Sequence, residues 1–499
     1  MYWCIDWLFL SKYFLLNPLF QFSHSYQSLG NSFFEKVLPT PVVAPSLLLY
    51  NYTLAKQLGI KGGVDPSVLA GILSGNQLAE GSIPIAQAYA GHQFGYFTML
   101  GDGRAILLGE HIGPDGQRWD IQLKGAGPTP YSRRGDGRAT LRAMLREYLI
   151  SEAMHGLGIP SSRSLAVVTT GEKVFREEVH AGAVLTRVMK SHIRVGTFEY
   201  ARQFLSTKDL ENLTRYSLER HYPEVSIKEN AALTLLEQVL QQQASLMANW
   251  MRVGFIHGVM NTDNMSISGE TFDYGPCAFI NSYDPTKAFS SIDTNGRYAF
   301  GNQPNIAHWN LSCLANALLP IIDEDTDTAV KKATEVLNQF PSIYTQLYTA
   351  TMAAKIGFDE NNISDEVVEL LKDLMKWMQA EQADYSNTFL TIEGSITTNG
   401  IYASPFFESW MGKRSLLLLA AGIDTEKSKA IMFHCNPVVI PRNHRVEEAL
   451  DAVVMCNDLT IFNQLLQAVQ HPYEPAGDYT KYQEPPVNGD GYYATYCGT

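Results

Sequence analysis

A chain of 499 residues with 45% hydrophobic content is too apolar for general disorder, and it is long enough for about two or three core-bearing units or one two-lobed enzyme. Its 51 acidic against 38 basic residues, a net charge of -13, exclude a wide nucleic-acid-binding surface but leave room for a local basic pocket. Six cysteines (Cys4, Cys277, Cys313, Cys435, Cys456, Cys497) show no Cys-x-x-Cys pair and no repeated spacing, which argues against zinc sites and a secreted disulfide framework and for a reducing compartment.

Residues 1–22 are rich in Trp, Tyr, Phe and Leu, yet Asp6, Lys12 and Pro18 interrupt them short of a membrane span, and neither a basic leader nor a small-residue cleavage site is present. An upstream start, a weak targeting segment and an apolar arm packed on the body are the three readings, and residues 1–24 are set apart as an extension. Next, Gly101-Asp102-Gly103-Arg104, the apolar run 105–108, the turn Gly113-Pro114-Asp115-Gly116 and the run 119–124 predict a β-hairpin. Period-two alternation puts Asp120, Gln122 and Lys124 on one face of its second strand and Ile121 and Leu123 on the other.

Leu141, Leu145, Tyr148, Leu149 and Glu152 keep helical spacing around a central Glu147, and Gly156, Gly158 and Pro160 supply the stop. Strand-like runs at 165–170 and 183–188 follow. Leu233, Leu236, Val239, Leu240, Met247 and Trp250 then mark an amphipathic helix ending at Gly254. A turn at Ser268-Gly269 is expected to join two short apolar strands leading into Asp273, and helical patterns dominate from Trp309 to Val469. From Pro472 onward the chain is rich in Pro, Gly and Tyr and reads as a surface tail. The expected division is a β-rich small lobe over 25–200, a helical large lobe over 201–471 and a tail over 472–499.

The segment from Phe255 to Asn264, followed by Asp273-Tyr274-Gly275, reads like a kinase catalytic loop without its usual base. Where a phosphotransferase keeps an Asp two residues after the His, this chain has Val259, which cannot accept a proton. Asn264 and Asp273 remain as oxygen ligands of the kind Mg²⁺ and Mn²⁺ prefer, or as a simple turn pair, and Asp263 could act as a base from a different direction. Lys124 and Glu147 are the right types for the ion pair that sets a lysine on phosphates, though a solvated strand lysine and a helix-surface charge are equally open readings.

Gly101 and Gly103 with Arg104 allow close approach of a phosphate or form a plain hairpin turn. Arg133, Arg134 and Arg138, with Gly135, Asp136 and Gly137, crowd one loop before a helix, where anion binding and simple solvation compete. Arg187 in an apolar strand needs a carboxylate or a phosphate, and Arg194 lies seven residues on. Such a concentration of cations in an acidic chain favours a polyphosphate pocket over separate salt bridges.

Tyr89-Ala90-Gly91-His92-Gln93-Phe94-Gly95, the runs 100–104, 123–127, 130–138 and 257–265, Asp273-Tyr274-Gly275-Pro276, and the run 436–450 with Ile440-Pro441-Arg442-Asn443-His444-Arg445 together resemble the selenoprotein O (SelO) family from about Asn31 onward. These are pseudokinases described as protein adenylyltransferases. The resemblance implies an α+β, protein-kinase-like two-lobed fold that binds ATP end for end and transfers AMP, releasing pyrophosphate, to Ser, Thr or Tyr of protein substrates. It places Gly101, Gly103, Arg104, Lys124, Asp136, Gly137, Arg187, Arg194 and Asp273 around the nucleotide, Asp263 as proton acceptor, and Asn264 and Asp273 on Mg²⁺ or Mn²⁺. Use of UTP with Mn²⁺ is also implied. Cys497 occupies the place of the family's C-terminal selenocysteine or cysteine, so Cys277 and Cys497 are either a regulatory disulfide or two unpaired thiols.

An AMP-transferring enzyme acting on proteins, with no nucleic-acid partner and no stable membrane insertion, is the expectation. It would be cytoplasmic in a bacterium and mitochondrial in a eukaryote. A conventional phosphotransferase and a nucleotide-binding scaffold are the alternatives.

Overall fold

A computed structural model describes residues 19–227, 230–396, 400–474, 477–487 and 489. The strands are Phe22–Ser23 (β1), Phe34–Lys36 (β2), Ser46–Tyr50 (β3), Ile85–Gln87 (β4), Ala90–Gln93 (β5), Tyr96–Met99 (β6), Ala105–Ile112 (β7), Arg118–Lys124 (β8), Ala139–Thr140 (β9), Arg163–Phe175 (β10) and Val179–Met189 (β11). The main sheet runs β2-β4-β7-β8-β11-β10-β3, with β1 on β7 and β9 on β11, while β5 and β6 form a separate hairpin. Its strand pairs are antiparallel, and the expected hairpin is β7–β8, with Ala105 opposite Lys124. Helices Tyr52–Gln57 (α1) and Pro66–Leu73 (α2) cover one face through Leu54, Leu58, Leu69 and Leu73, which pack on Ile106, Ile121, Leu123 and Val184.

The other face receives the helix Leu141–Gly156 (α3), where Leu145 and Leu149 meet Leu107, Val167 and Leu185. Thr140 starts this helix by accepting the Ala143 N–H on its side chain. Gly158 N–H bonds His155 O and Ile159 N–H bonds Met154 O, the reversed-turn closure that satisfies the last carbonyls. Lys124, on the α3 side by alternation, therefore points at the helix and not at solvent.

Val195–Phe204 (α4), Thr207–His221 (α5), Ala231–Val253 (α6) and Gln303–Ile322 (α7) begin the helical half, which continues to Thr460–Gln470. The chain is thus α+β, sheet-rich first and helical after. A second core gathers Leu374, Trp377, Phe389, Phe407 and Trp410 among the later helices. Gly254 ends α6 in a left-handed turn, φ 74°, and delivers Phe255 and the His257 loop. Among the described residues no helix is long and apolar enough to cross a membrane.

Three expectations need correction. The arms around Ser268-Gly269 do not pair with each other: Val195 N–H bonds Met265 O and Ile267 N–H bonds Ile193 O, whereas Ser162 N–H bonds Thr271 O. Each arm finds its backbone partner in a different neighbouring segment, so no two-stranded hairpin leads into Asp273. At the N-terminus, Phe20 is 1% exposed in the sheet core and Phe22 pairs with His111, so the end of the supposed extension belongs to the body. Residues 1–18 lie outside the described residues. The tail is not simply laid on the surface, for Thr480–Gln483 is a short helix, Tyr482 is buried, and Gln483 O accepts from Arg442 and Asn387.

Asn230 joins two helix ends. Its Oδ1 caps α6 by accepting the Ala232 and Leu233 N–H groups, and its Nδ2 donates to Ile321 O and Ile322 O at the end of α7. Asn230→Ala is expected to cost about 2 kcal/mol in denaturant unfolding, roughly half from the cap and half from the orphaned carbonyls. Asn230→Ser, which keeps a capping oxygen, should cost about 1 kcal/mol, and equal losses would remove the link to α7.

Candidate functional site

Register brings the central charges together. Leu185 lies opposite Lys124 and Arg187 opposite Gln122, so β8 and β11 present Lys124 and Arg187 on the face covered by α3. Glu147 meets both: Lys124 Nζ donates to Oε2 at 2.7 Å, and Arg187 Nε donates to Oε1 at 2.9 Å. Asp273 meets both from the far side, its Oδ1 accepting Lys124 Nζ at 2.6 Å and Arg187 at 2.5 Å. Burial alone would raise both carboxyls, but Arg187 and Lys124 hold Glu147 below, and Asp273 well below, the usual carboxylate range. Asp273 sits at φ 61°, in the left-handed region, and its Oδ2 takes no hydrogen bond from the described residues.

The loop preceding Asp273 is held by neutral imidazole chemistry. His257 Nε2–H donates to Phe272 O at 3.0 Å and Nδ1 accepts the Val259 N–H at 3.4 Å, while the ring stacks on Trp250. Burial lowers the His257 pKa, in keeping with that tautomer. Asn264 Nδ2 donates to Val259 O at 3.1 Å, which turns Oδ1 away as an acceptor with no described donor. Val259 is buried and fills the place of a base with a side chain that has no polar atom.

Asp263 is also buried, and its Oδ1 has no hydrogen-bond partner. Burial pushes its carboxyl up to about 6 against the opposing pull of Arg194. Arg194 is packed between rings, 4.1 Å from the Tyr89 centroid and 5.0 Å from that of Phe272, and donates to the Asp263 main-chain oxygen at 3.2 Å. Its carboxylate neighbour is Asp102 at 3.6 Å, itself raised to about 6 by burial.

Gly101 and Gly103 are strapped under the 129–132 loop: a Cβ on Gly101 would lie 2.3 Å from the Tyr131 ring, Thr129 Oγ1 donates to Asp102 O at 2.6 Å, and Ser132 Oγ donates to Gly103 O. Arg104 ends this loop, and its carbonyl accepts the Gly125 N–H next to Lys124. Asp136 and Gly137 make other contacts. Asp136 is exposed and takes a two-point pair from Arg176 at 2.9 and 3.0 Å, and Gly137 abuts the Gly127 backbone so closely that a Cβ would lie 2.1 Å from it. Neither bonds to the Lys124 and Asp273 cluster among the described residues.

Sequence reading assigned no role to Asp102, Tyr89 or Phe272. Tyr89 and Phe272 are single aromatics whose position over Arg194 depends on tertiary packing, although Asp102 between its two glycines was open to notice. Cys277 is fully buried, and burial pushes its thiol up to about 11 against the opposing effect of Arg146, so it is no poised thiolate. Cys497 lies outside the described residues.

The family described as protein adenylyltransferase SelO matches residues 18–470, starting upstream of Asn31. This chain belongs to that family. Within it, the chain is 51% identical to the protein nucleotidyltransferase YdiU of Geobacillus kaustophilus (strain HTA426), over 96% of this chain and 99% of the relative. It is also 51% identical to the YdiU of Brevibacillus brevis (strain 47 / JCM 6285 / NBRC 100599), over 97% and 99%. Among solved structures, ROP2 from Toxoplasma gondii, described as a virulence factor with a protein-kinase fold and no enzymatic activity, is similar at 12% identity and a TM-score of 0.22. That match covers 68% of this chain and 88% of that one, a likeness too distant to bear on the site.

Glu147 anchors both central cations, so Glu147→Gln should lower the melting temperature and cut nucleotide turnover by roughly tenfold or more, since removing one partner of a buried charge pair costs about 3–5 kcal/mol. Unchanged stability would mean that Lys124 and Arg187 do not depend on this carboxylate.

Proposed function

We propose that this SelO-family chain is a protein nucleotidyltransferase that moves AMP from ATP to a hydroxyl of a protein substrate, with the nucleotide between a small lobe (25–200) and a large lobe (201–471). The observation that carries the reading is the unpartnered, buried Asp263 Oδ1 beside Asn264, in a loop whose usual base position is the apolar Val259. A base displaced by one turn calls for a substrate presented differently, which an end-for-end nucleotide provides.

In this scheme Asp263 accepts the proton of the incoming Ser, Thr or Tyr hydroxyl, the oxygen bonds to the α-phosphorus, and the bond to the β-phosphate oxygen breaks to release pyrophosphate. Lys124, Arg187 and Arg194 neutralise the phosphates and the leaving group. Gly101, Gly103 and Arg104 line the approach, and Asp136 and Gly137 act by fixing the loop that carries Arg133 and Arg134. Asn264 Oδ1 and Asp273 Oδ2 form an all-oxygen donor pair that fits Mg²⁺ or Mn²⁺. When bound, such an ion supplies charge neutralisation on the phosphates. A reducing compartment, cytoplasmic in a bacterium and mitochondrial in a eukaryote, fits the free thiols of Cys277, Cys313, Cys435 and Cys456.

Incubation with α-³²P-ATP or γ-³²P-ATP and either metal, followed by a denaturing gel, separates the outcomes. Label on protein from the α-phosphate alone is expected; label from the γ-phosphate would establish a kinase instead. α-³²P-UTP with Mn²⁺ tests whether UMP is also a donor. Asp273→Ala should abolish transfer, and Lys124→Ala or Arg187→Ala should weaken it.

Asp263→Asn is expected to lower kcat by about 10²–10⁴ while nucleotide binding, read by titration calorimetry, is kept. An equal loss of binding would make Asp263 a nucleotide ligand and not a base.

A further inference from the structure

Beside the catalytic turn, three separate elements bring metal-binding side chains to one point. His92 on β5, Glu199 on α4 and Cys313 on α7 each present a ligand atom, and these atoms all lie within 4.8 Å of one another. Glu199 is 5% exposed, its Oε1 bonds His92 Nδ1, and its Oε2 has no hydrogen-bond partner. Phe97 and Trp309 stand edge-on to the imidazole at 5.5 and 5.4 Å and fix its orientation. A buried carboxylate oxygen without a donor is costly, and a cation removes that cost.

We propose that His92, Glu199 and Cys313 form a binding site for one zinc ion, with water as the fourth ligand. One nitrogen, one carboxylate oxygen and one sulfur make a donor set that zinc accepts in tetrahedral geometry and that Mg²⁺ or Ca²⁺ does not favour. Charge points the same way, because a neutral imidazole, a carboxylate and a thiolate carry two negative charges, which a dication cancels in a mostly buried setting. Binding forms one bond each from nitrogen, oxygen and sulfur to zinc, and releases to solvent the Cys313 thiol proton and the proton shared by His92 and Glu199. No electron moves. Burial and Glu199 raise the free Cys313 thiol against the opposing effect of Arg297, and metal binding displaces its proton.

The ion would act by position. The His92 main-chain N–H donates to Thr262 Oγ1 at 2.7 Å, and Thr262 directly precedes Asp263, so zinc would brace the β5 hairpin, α4 and α7 around the turn that carries the proposed base. Cysteine spacing argued against zinc, but spacing detects ligands from one local stretch, and these come from three.

Cobalt(II) titrated into the reduced, metal-stripped full-length chain tests the site. A thiolate–cobalt bond gives a near-ultraviolet charge-transfer band that oxygen ligands such as Asn264 and Asp273 cannot give. The expected band saturates at one cobalt per chain, is bleached by one equivalent of zinc, disappears in Cys313→Ser, and survives in Cys456→Ser, whose thiol is exposed. Absence of the band from the unaltered chain, or its full strength in Cys313→Ser, overturns the proposal. His92→Asn should weaken zinc binding by at least about tenfold in competition with a chromophoric chelator, and unchanged affinity would strike His92 from the ligand set. None of these readouts depends on nucleotide transfer.

Discussion

Three buried charges, Lys124, Glu147 and Arg187, and the partly exposed Asp273 hold the sheet, the helix beneath it and the segment after the His257 loop to one geometry. Lys124 and Arg187 each touch both Glu147 and Asp273, so cations and carboxylates alternate around a closed ring and the sum is neutral. Isolated, any of these groups would be far too costly to bury at such depth; in the ring each has two partners of opposite sign. Glu147 comes from α3, Lys124 and Arg187 from neighbouring strands, and Asp273 from the segment after the His257 loop. The ring therefore measures whether three layers are in register. Under the proposed function, an entering polyphosphate would add negative charge to a balanced set and share Lys124 and Arg187 with Asp273. In the proposed scheme a dication on Asp273 would offset part of that charge, which would couple nucleotide and metal binding through electrostatics.

The parts of this ring were legible because each depended on a local signal, Asp273 on its Asp-Tyr-Gly motif and the others on pattern. Alternation in β8 aimed Lys124, helical spacing centred Glu147 in α3, and an arginine within an apolar strand demanded a partner. The sequence could not show that Arg187 and Lys124 share the same two carboxylates, since that depends on the β8–β11 register. The same limit explains the failed hairpin at Ser268-Gly269: its apolar alternation is real, but the backbone partners lie at Ile193 and at Pro160 to Ser162, far off in the chain. Asp136 and Gly137 were legible as a loop beside a helix, yet the Arg176 pair that occupies Asp136 comes from a distant strand end.

The helical half is tied to the site by arginines and not by apolar packing alone. Arg146 on α3 donates to Gly275 O, Cys277 O, Asn443 Oδ1 and Glu447, so the segment after Asp273 is clamped between α3 and the helix Asn443–Cys456. One residue before that helix, Arg442 is 1% exposed and bonds Asn281, Asp384 and the Gln483 carbonyl of the tail. These are planar, multi-donor contacts that lysine could not reproduce. They give a physical reason for the run Ile440-Pro441-Arg442-Asn443-His444-Arg445 so far in sequence from the His257 loop. Pro441 restricts Ile440 to an extended backbone just before Asn443 begins the helix. The segment from Asp273 to Asn281 thereby has both ends held, Asp273 by the charge ring and Asn281 by Arg442. A left-handed, non-glycine Asp273 is a strained conformation that persists only where its surroundings fix it, and these two anchors fix it.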